Sequence, residues 1–413
     1  MGVKVPAAPH LYAVPYLPIG GIFDDRELAA VREVLTSGAT LSQGVWRPRF
    51  EEAFRRYTGT RHAFSVTSGT VALHLAIHLL DLRPGDEVIA TPQTYQATIQ
   101  PLLDYQVTVR FADVRPDDAN IDPDRVAELI NERTRAVLLV HYGGAVAGMT
   151  PIMDLARRHG LLVLEDAAHA LGSTLDGRRA GSLADIGCFS FHSSKNITTL
   201  GEGGMVTFDR DDWAERLERL RSNEADAVLR PARHSFGLSE APVAGALYPG
   251  HAYTHDYVRI RRAGTNATLG EPAAAFGLVQ MDRLPDLLAR RQAIAGRLGE
   301  VLGRFPEVRP QQVAPGSTHA YHLFTFFVDP AAIDRDALIR ELGAAGVQTY
   351  LRYFPLHLLP EWRARGHGAG ECPVAERLWF GEHMNLSCQP GLSDSQVEML
   401  GDALDRSLRK LVR

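Results

Sequence analysis

Cysteine is scarce in this sequence, which holds only Cys188, Cys372 and Cys388 in 413 residues. Three scattered thiols are too few for a disulfide framework and lack the clustered spacing of a zinc site, so we expect no metal. No run of about 18 or more apolar residues occurs, which excludes a transmembrane helix. The first 20 residues also lack the apolar stretch of a signal peptide. We therefore expect a cytoplasmic protein with no membrane partner.

The sequence also has no excess of positive charge. The chain has 44 lysine and arginine residues against 49 aspartate and glutamate residues, a net charge of −5 at pH 7. Proteins that bind nucleic acid usually present a basic patch, so this balance disfavours a nucleic-acid partner. A hydrophobic content of 45% and a charged content of 23% are ordinary for a globular protein, and the length suits two domains.

Short apolar runs alternate with helical patterns between about residues 62 and 208, which favours a mostly parallel α/β sheet. The run at 161–164 is continuously apolar, as is typical of a strand buried on both faces. The predicted strands are 62–66, 86–90, 108–113, 136–141, 161–164, 188–191 and 205–208.

The second part of the chain reads as a smaller α/β domain beginning near Pro285, the residue that separates two predicted helices. The predicted elements are helices at 273–284, 286–302, 335–345 and 392–412, a short helix from 372, and strands at 322–328 and 347–352. We expect an N-terminal arm over 1–24, a large domain over 25–262, and a dimer-contact segment with a small C-terminal domain over 263–413.

Lys195 and Asp166 are candidates for a catalytic amine and a carboxylate that acts with it. The buried strand at 161–164 ends in Glu165 and Asp166, and open α/β sheets bind ligands at the carboxyl ends of their strands. Farther along, Lys195 lies between a strand and the glycine-rich turn 201–204. Pyridoxal 5′-phosphate (PLP) requires this pair, because a lysine forms a Schiff base with it and a carboxylate keeps its pyridinium nitrogen protonated. A solvated loop lysine is the commoner alternative.

A strand, a small polar turn and a helix follow one another at residues 62–80, which is the arrangement of an anion site. The first-turn N–H groups of a helix and the positive end of its dipole both favour an anion. Gly69 and Thr70 are therefore candidates to bind a phosphate. A plain helix cap is the alternative, since serine and threonine are favoured N-caps.

The segments EDAAHALGS at 165–173 and FSFHSSKNITTLGEGG at 189–204 resemble the DegT/DnrJ/StrS family of PLP-dependent sugar aminotransferases. The resemblance covers about residues 44–392 and implies an α/β fold of the fold type I PLP-transferases. That fold has a mostly parallel, seven-stranded sheet in a large domain and a smaller C-terminal α/β domain. The implied reaction moves an amino group from glutamate or glutamine to a keto sugar, usually nucleotide-linked, in amino-sugar or antibiotic biosynthesis.

The resemblance also implies roles for single residues. Lys195 would hold the cofactor and move the proton, Asp166 would pair with the ring nitrogen, and Tyr95 would stack on the ring. The remaining implied contacts are His169 beside the phenolic oxygen, and Gly69, Thr70, Ser190 and Asn266 on the phosphate. Packing in the core is the alternative for Tyr95, and a structural role is the alternative for His169.

Family members reach the phosphate of the neighbouring subunit with a Gly-x-Asn-x-Arg segment, so the resemblance implies a homodimer with shared active sites. In this chain Asn266 fits that segment, whereas Thr268 replaces the arginine and cannot supply its fork-shaped charge. Two further positions resemble the family, namely Asp113 and the turn Tyr353-Phe354-Pro355-Leu356-His357.

Several alternatives stay open at this point. A keto-cyclitol is a second kind of acceptor, and we expect the segment 222–262 to decide between acceptors. Family members that act as dehydratases carry histidine at the position of Lys195, which disfavours that reaction. A regulatory DNA-binding relative is disfavoured by the acidic balance.

Overall fold

The computed structural model describes residues 11–42, 44–222 and 264–412. Most of the predicted acceptor-determining segment, residues 223–262, lies outside this range, as do the first ten residues of the predicted arm. The described residues form three sheets of seven, three and three strands. The predicted domain boundaries at residues 25 and 263 stay predictions.

The largest sheet is mostly parallel, as predicted. Its spatial order is β1-β9-β8-β5-β4-β2-β3, and only β9 runs antiparallel to its neighbours. Its strands are β1 (His62–Val66), β2 (Glu87–Ala90), β3 (Thr108–Phe111), β4 (Thr134–Val140), β5 (Leu162–Asp166), β8 (Ile186–Ser190) and β9 (Gly204–Phe208). Two-residue strands β6 (Thr174–Leu175) and β7 (Arg178–Arg179) lie between β5 and β8 in the chain.

Both faces of the central part of the large sheet are buried, which explains the apolar runs in β4 and β5. In β4, Val137 and Leu139 pack into one hydrophobic cluster, and Leu138 and Val140 pack into another on the opposite face. This alternation follows from the two-residue period of a strand. The helices before and between these strands are α1 (Asp25–Thr36), α2 (Trp46–Thr58), α3 (Gly69–Leu79), α4 (Pro123–Leu129), α5 (Met149–His159) and α6 (Asp211–Arg221).

One long helix, α7 (Glu271–Leu302), replaces the two helices predicted around Pro285, so that prediction is wrong. Proline lacks the N–H for the carbonyl four residues earlier, which is why a break was expected. The helix continues because both of its halves are packed. Leu284 and Leu287 lie in a core beside the large sheet, and Leu298 lies in the core of the C-terminal sheet. Tertiary packing here outweighs the local penalty.

The C-terminal sheet is antiparallel, in the order β10-β12-β13. Its strands are β10 (Val308–Pro310), β12 (Phe324–Val328) and β13 (His383–Leu386), while β11 (Ser317–Thr318) pairs with β6. The helices are α8 (Arg335–Ala344), α9 (Pro360–Arg363), α10 (Pro373–Arg377) and α11 (Asp394–Leu411).

The strand predicted at 347–352 does not form. Only Val347 pairs, through an isolated bridge to Val14 in the N-terminal segment. The rest of the segment is held by side chains, since the Arg352 N–H donates to Asn385 Oδ1 at 3.1 Å. Tyr350, Leu351 and Arg352 of this segment line a cavity instead of joining a sheet.

In the part of the chain that the structure describes, no helix has both the length and the apolar character needed to cross a membrane.

Candidate active site

A cavity of about 580 Å³ opens where β5 and β8 end and α3 begins. Seven of the eight residues predicted for the site line it, and they come from four separate stretches of the chain. They are Gly69, Thr70, Tyr95, Asp166, His169, Ser190 and Lys195. The large sheet brings them together because the carboxyl ends of parallel strands meet along one edge.

Lys195 is half-buried in a tight turn after β8, where its N–H donates to the His192 carbonyl at 2.8 Å. Its Nζ makes no hydrogen bond or ion pair with any residue in the described ranges. Burial lowers the pKa of Lys195 to about 8, with Asp166 opposing the shift and Arg352 adding to it. A larger fraction of this amine is therefore unprotonated near neutral pH than for an ordinary lysine.

Asp166 ends β5 and is buried at the base of the cavity. The Thr98 hydroxyl donates to its Oδ2 at 2.7 Å, and the Ala168 N–H donates to its Oδ1 at 3.0 Å. Burial raises the pKa of Asp166, while those two hydrogen bonds and the nearby Lys195 act in the opposite direction. The carboxyl group is thus fixed in position, and a cation bound in the cavity would hold it ionised.

The turn between β1 and α3 approaches the end of β8 very closely. A β-carbon added to Gly69 would lie 2.6 Å from Cβ of Ser190, so only glycine fits there. The Ser68 hydroxyl accepts from the Val71 N–H at 3.2 Å, and this cap leaves the N–H groups of Gly69 and Thr70 in the first helical turn without intrahelical partners. These N–H groups and the Ser190 hydroxyl suit a phosphate.

Aromatic rings form another part of the cavity lining. The Tyr95 side chain is 51% exposed, so it does not pack in the core, and its ring centroid lies 5.8 Å from that of Tyr353. His169 Nε2 lies 3.1 Å from the Tyr353 hydroxyl oxygen, and its ring stacks on His322 at 4.3 Å. Burial, with nearby positive charge, lowers the pKa of His169 well below its usual value, so the imidazole is neutral near pH 7.

Asn266, the eighth predicted residue, lies outside this cavity. Its side chain is exposed, and its backbone forms a bridge with Ser222. Thr268, where the resemblance places an arginine, bridges Val66 through its backbone. A contact of Asn266 with a second subunit therefore stays a prediction.

Sequence reasoning assigned no role to several residues at the site. Thr98 holds Asp166, yet no pattern in the sequence signals a lone threonine in a short helical turn. Arg352 and Tyr353 line the cavity, and the only sequence signal for them was the turn resembling Tyr-x-Pro-x-His. His357 of that turn is buried elsewhere, with Nε2 3.0 Å from Glu376 Oε1.

The chain belongs to the DegT/DnrJ/EryC1/StrS aminotransferase family, whose family model matches residues 22–405. A relative, GDP-perosamine synthase of Caulobacter vibrioides, is 33% identical over 388 residues, covering 93% of this chain and 96% of that protein. Among solved structures, the aminotransferase TlmJ from Streptoalloteichus hindustanus has a TM-score of 0.83 and 32% identity, covering 96% of this chain and 99% of that chain.

A solved structure from Streptococcus pneumoniae in a PLP form has a TM-score of 0.84 and 25% identity, covering 97% of this chain and 100% of that chain. The protein is therefore an aminotransferase of the fold type I class, and PLP is its cofactor. The cavity fits this cofactor. It offers an unpaired amine on Lys195, a buried carboxylate on Asp166, and a cradle at Gly69 that a β-carbon would fill.

Proposed function

We propose that this protein transfers an amino group from glutamate or glutamine to a nucleotide-linked keto sugar in amino-sugar or antibiotic biosynthesis. The observation that carries the proposal is the meeting of Lys195, Asp166 and an anion-binding turn in one cavity. The name of the relative GDP-perosamine synthase supports a nucleotide-linked acceptor.

The cofactor, when bound, supplies a ring that withdraws electrons from the substrate α-carbon. In our proposal, Lys195 Nζ would carry the cofactor and would move a proton between the substrate α-carbon and the C4′ carbon of the cofactor, a role that suits an amine with a pKa of about 8. Asp166, held by Thr98, keeps the ring nitrogen protonated.

The other cavity residues would position the cofactor. Tyr95, whose ring is free on the cavity side, would stack on the pyridine ring. Gly69, Thr70 and Ser190 would bind the phosphate. The neutral His169 would lie beside the phenolic oxygen.

Borohydride reduction followed by peptide mapping tests the cofactor site. We expect the reduced cofactor on the peptide that contains Lys195, and no such adduct in Lys195→Ala. An adduct on another lysine would overturn the assignment of Lys195.

Half-reactions test the substrates. Holoenzyme should change its visible spectrum with glutamate or glutamine, and a nucleotide-linked keto sugar should then restore the spectrum and leave as the amine. A keto-cyclitol in place of the sugar is the matched comparison. Restoration by the cyclitol alone would contradict the proposed acceptor.

A further inference from the structure

Arg352 is a cation in the cavity that nothing in the proposed mechanism uses. Among the lining residues of the described chain, Lys195 and Arg352 carry the only lysine and arginine side chains. Arg352 forms no ion pair within the described ranges. An arginine that faces a cavity without a carboxylate partner is a receptor for an anionic ligand.

The fully buried arginines of the described chain have partners, in contrast to the half-buried Arg352. Arg221 pairs with Glu51 at 2.6 Å and also with Glu218. Arg291 donates to the Tyr321 carbonyl at 2.9 Å and to the Gly20 carbonyl at 2.5 Å. The contrast indicates that the partner of Arg352 is a molecule that enters the cavity.

The position of Arg352 is fixed from several directions. Its carbonyl accepts hydrogen bonds from Gln93 Nε2 at 3.3 Å and from the Tyr142 hydroxyl, and its N–H donates to Asn385. Its guanidinium carbon lies 4.6 Å from the ring centroid of Tyr350 and 5.1 Å from that of Tyr16. Stacking uses the face of the guanidinium, and a hydrogen bond to the Tyr353 hydroxyl uses part of its edge. The remaining N–H groups on the edge are left for a ligand.

The contacts of Arg352 place it near the part of the cavity that Asp166 and Lys195 line. Its guanidinium lies 5.9 Å from the Tyr353 ring centroid, and the Tyr353 hydroxyl is 3.1 Å from His169, three residues after Asp166. Its charge is also close enough to contribute to the lowered pKa of Lys195. An anionic group bound here would lie beside the reacting amine of Lys195. This position suits the small amino-acid donor better than a nucleotide-linked acceptor, in which the sugar ring separates the phosphates from the reacting keto carbon.

We propose that Arg352 binds the α-carboxylate of the amino-acid donor and thereby selects donors that carry this group. The inference rests on the proposed function, because it requires an amino acid to be the donor. A guanidinium edge and a carboxylate are both planar and form two parallel hydrogen bonds. Such a contact orients the donor's α-carbon toward Lys195.

The test compares donors with and without the α-carboxylate charge. Wild-type holoenzyme should react with L-glutamate or L-glutamine at least about tenfold better than with the corresponding α-amide, and Arg352→Gln should lose most of this preference. 2-Methylglutamate has no proton on its α-carbon, so the change it causes in cofactor absorbance reports binding alone. Its apparent dissociation constant should rise about tenfold or more in Arg352→Gln.

Two further variants separate the contact from other effects. Arg352→Lys keeps the charge without the fork and should fall between wild type and Arg352→Gln. Arg406→Gln removes an arginine from the exposed face of α11, outside the cavity, and should match wild type. A thermal unfolding curve for each variant shows that the comparison concerns folded protein.

The outcomes are distinguishable. If wild type reacts with amino acids and Arg352→Gln keeps both the donor preference and the 2-methylglutamate affinity, the role of Arg352 is overturned. A rise confined to the KM of the acceptor sugar would overturn it too, since the arginine would then bind an acceptor phosphate. A wild-type enzyme that reacts with no amino acid contradicts the proposed function instead.

Discussion

Two ionisable side chains that line one cavity, Lys195 and Asp166, define the chemistry at the scale of single residues. Burial disfavours the charge on both Lys195 and Asp166, so it lowers the pKa of the lysine and raises that of the aspartate. Each effect is useful in an aminotransferase. The lysine gains a larger neutral fraction that can take up a proton, and a cation bound beside the aspartate would favour its anionic form.

Asp166→Asn should remove most of the amino transfer while leaving the protein folded. The amide oxygen can still accept from Ala168, but a neutral side chain cannot hold the proton of the ring nitrogen. We expect kcat/KM to fall on the order of 10²-fold or more. Asp118→Asn is the matched control, because Asp118 is another buried carboxylate that lies outside the cavity. Turnover near wild type in Asp166→Asn would show that another group holds the ring nitrogen.

The lowered pKa of Lys195 predicts a pH dependence that can be measured on cofactor-free protein. The neutral amine is the form that an acylating reagent attacks, and its fraction rises with pH through about 8, not through the ordinary value near 10.5. Labelling of the Lys195 peptide, followed by mass spectrometry, should therefore have its midpoint near pH 8. In Arg352→Gln the midpoint should move upward, because a neighbouring positive charge is removed. A wild-type midpoint near pH 10 would contradict the effect of burial.

At the scale of secondary structure, the sequence predicted the elements whose signal is local. The seven strands of the large sheet were predicted within a few residues, because burial on both faces makes them continuously apolar. The predictions of secondary structure were wrong where tertiary contacts determine the conformation. Pro285 does not break α7, since both halves of that helix pack into cores. The segment 347–352 forms only the bridge of Val347 to Val14, and side chains bind the backbone groups of Arg352.

Asp113, which resembles a family position without a known role, joins two elements. Its carboxylate accepts from the Val374 and Ala375 N–H groups at 2.8 and 2.9 Å, so it caps α10 from the end of β3. Asp113→Ala should lower the free energy of unfolding by about 1–2 kcal/mol, the usual cost of losing a helix cap. Denaturant unfolding measures this, and Asp104→Ala, at an exposed position, is the control. Equal stability of both variants would contradict the capping role.

At the scale of the whole molecule, the sequence predicted the part of the site that follows the strands of the large sheet and missed most of the part that the C-terminal residues supply. Gly69, Asp166, Ser190 and Lys195 end or follow strands of one sheet, so strand order alone brings them together. Residues 350–354 also line the cavity, although they are far away in sequence and carry no local pattern that places them there. Their approach depends on how the C-terminal residues pack against the sheet.

The predicted sharing of active sites between two subunits is a property of the assembled protein. The exposed Asn266 lies outside the cavity of its own chain, which suits a residue that serves a neighbour. In a C₂ dimer each site would then take Lys195 from one subunit and Asn266 from the other. A heterodimer of Lys195→Ala and Asn266→Ala subunits would contain one doubly damaged site and one intact site. Such a heterodimer, purified with two different tags, should regain about half of the wild-type activity, although each parent is impaired.

A second heterodimer provides the control for this complementation. Ser190 lines the cavity of its own chain, so a Lys195→Ala subunit paired with a Ser190→Ala subunit has damage in both sites and should regain no activity. Steady-state amino transfer per heterodimer is the measurement. If the Asn266 pairing yields no more than half the activity of the Asn266→Ala parent, Asn266 acts within its own subunit. The exposed side chain of Asn266 would then have no role in binding the phosphate of a partner, and the phosphate would be held by Gly69, Thr70 and Ser190 of a single chain.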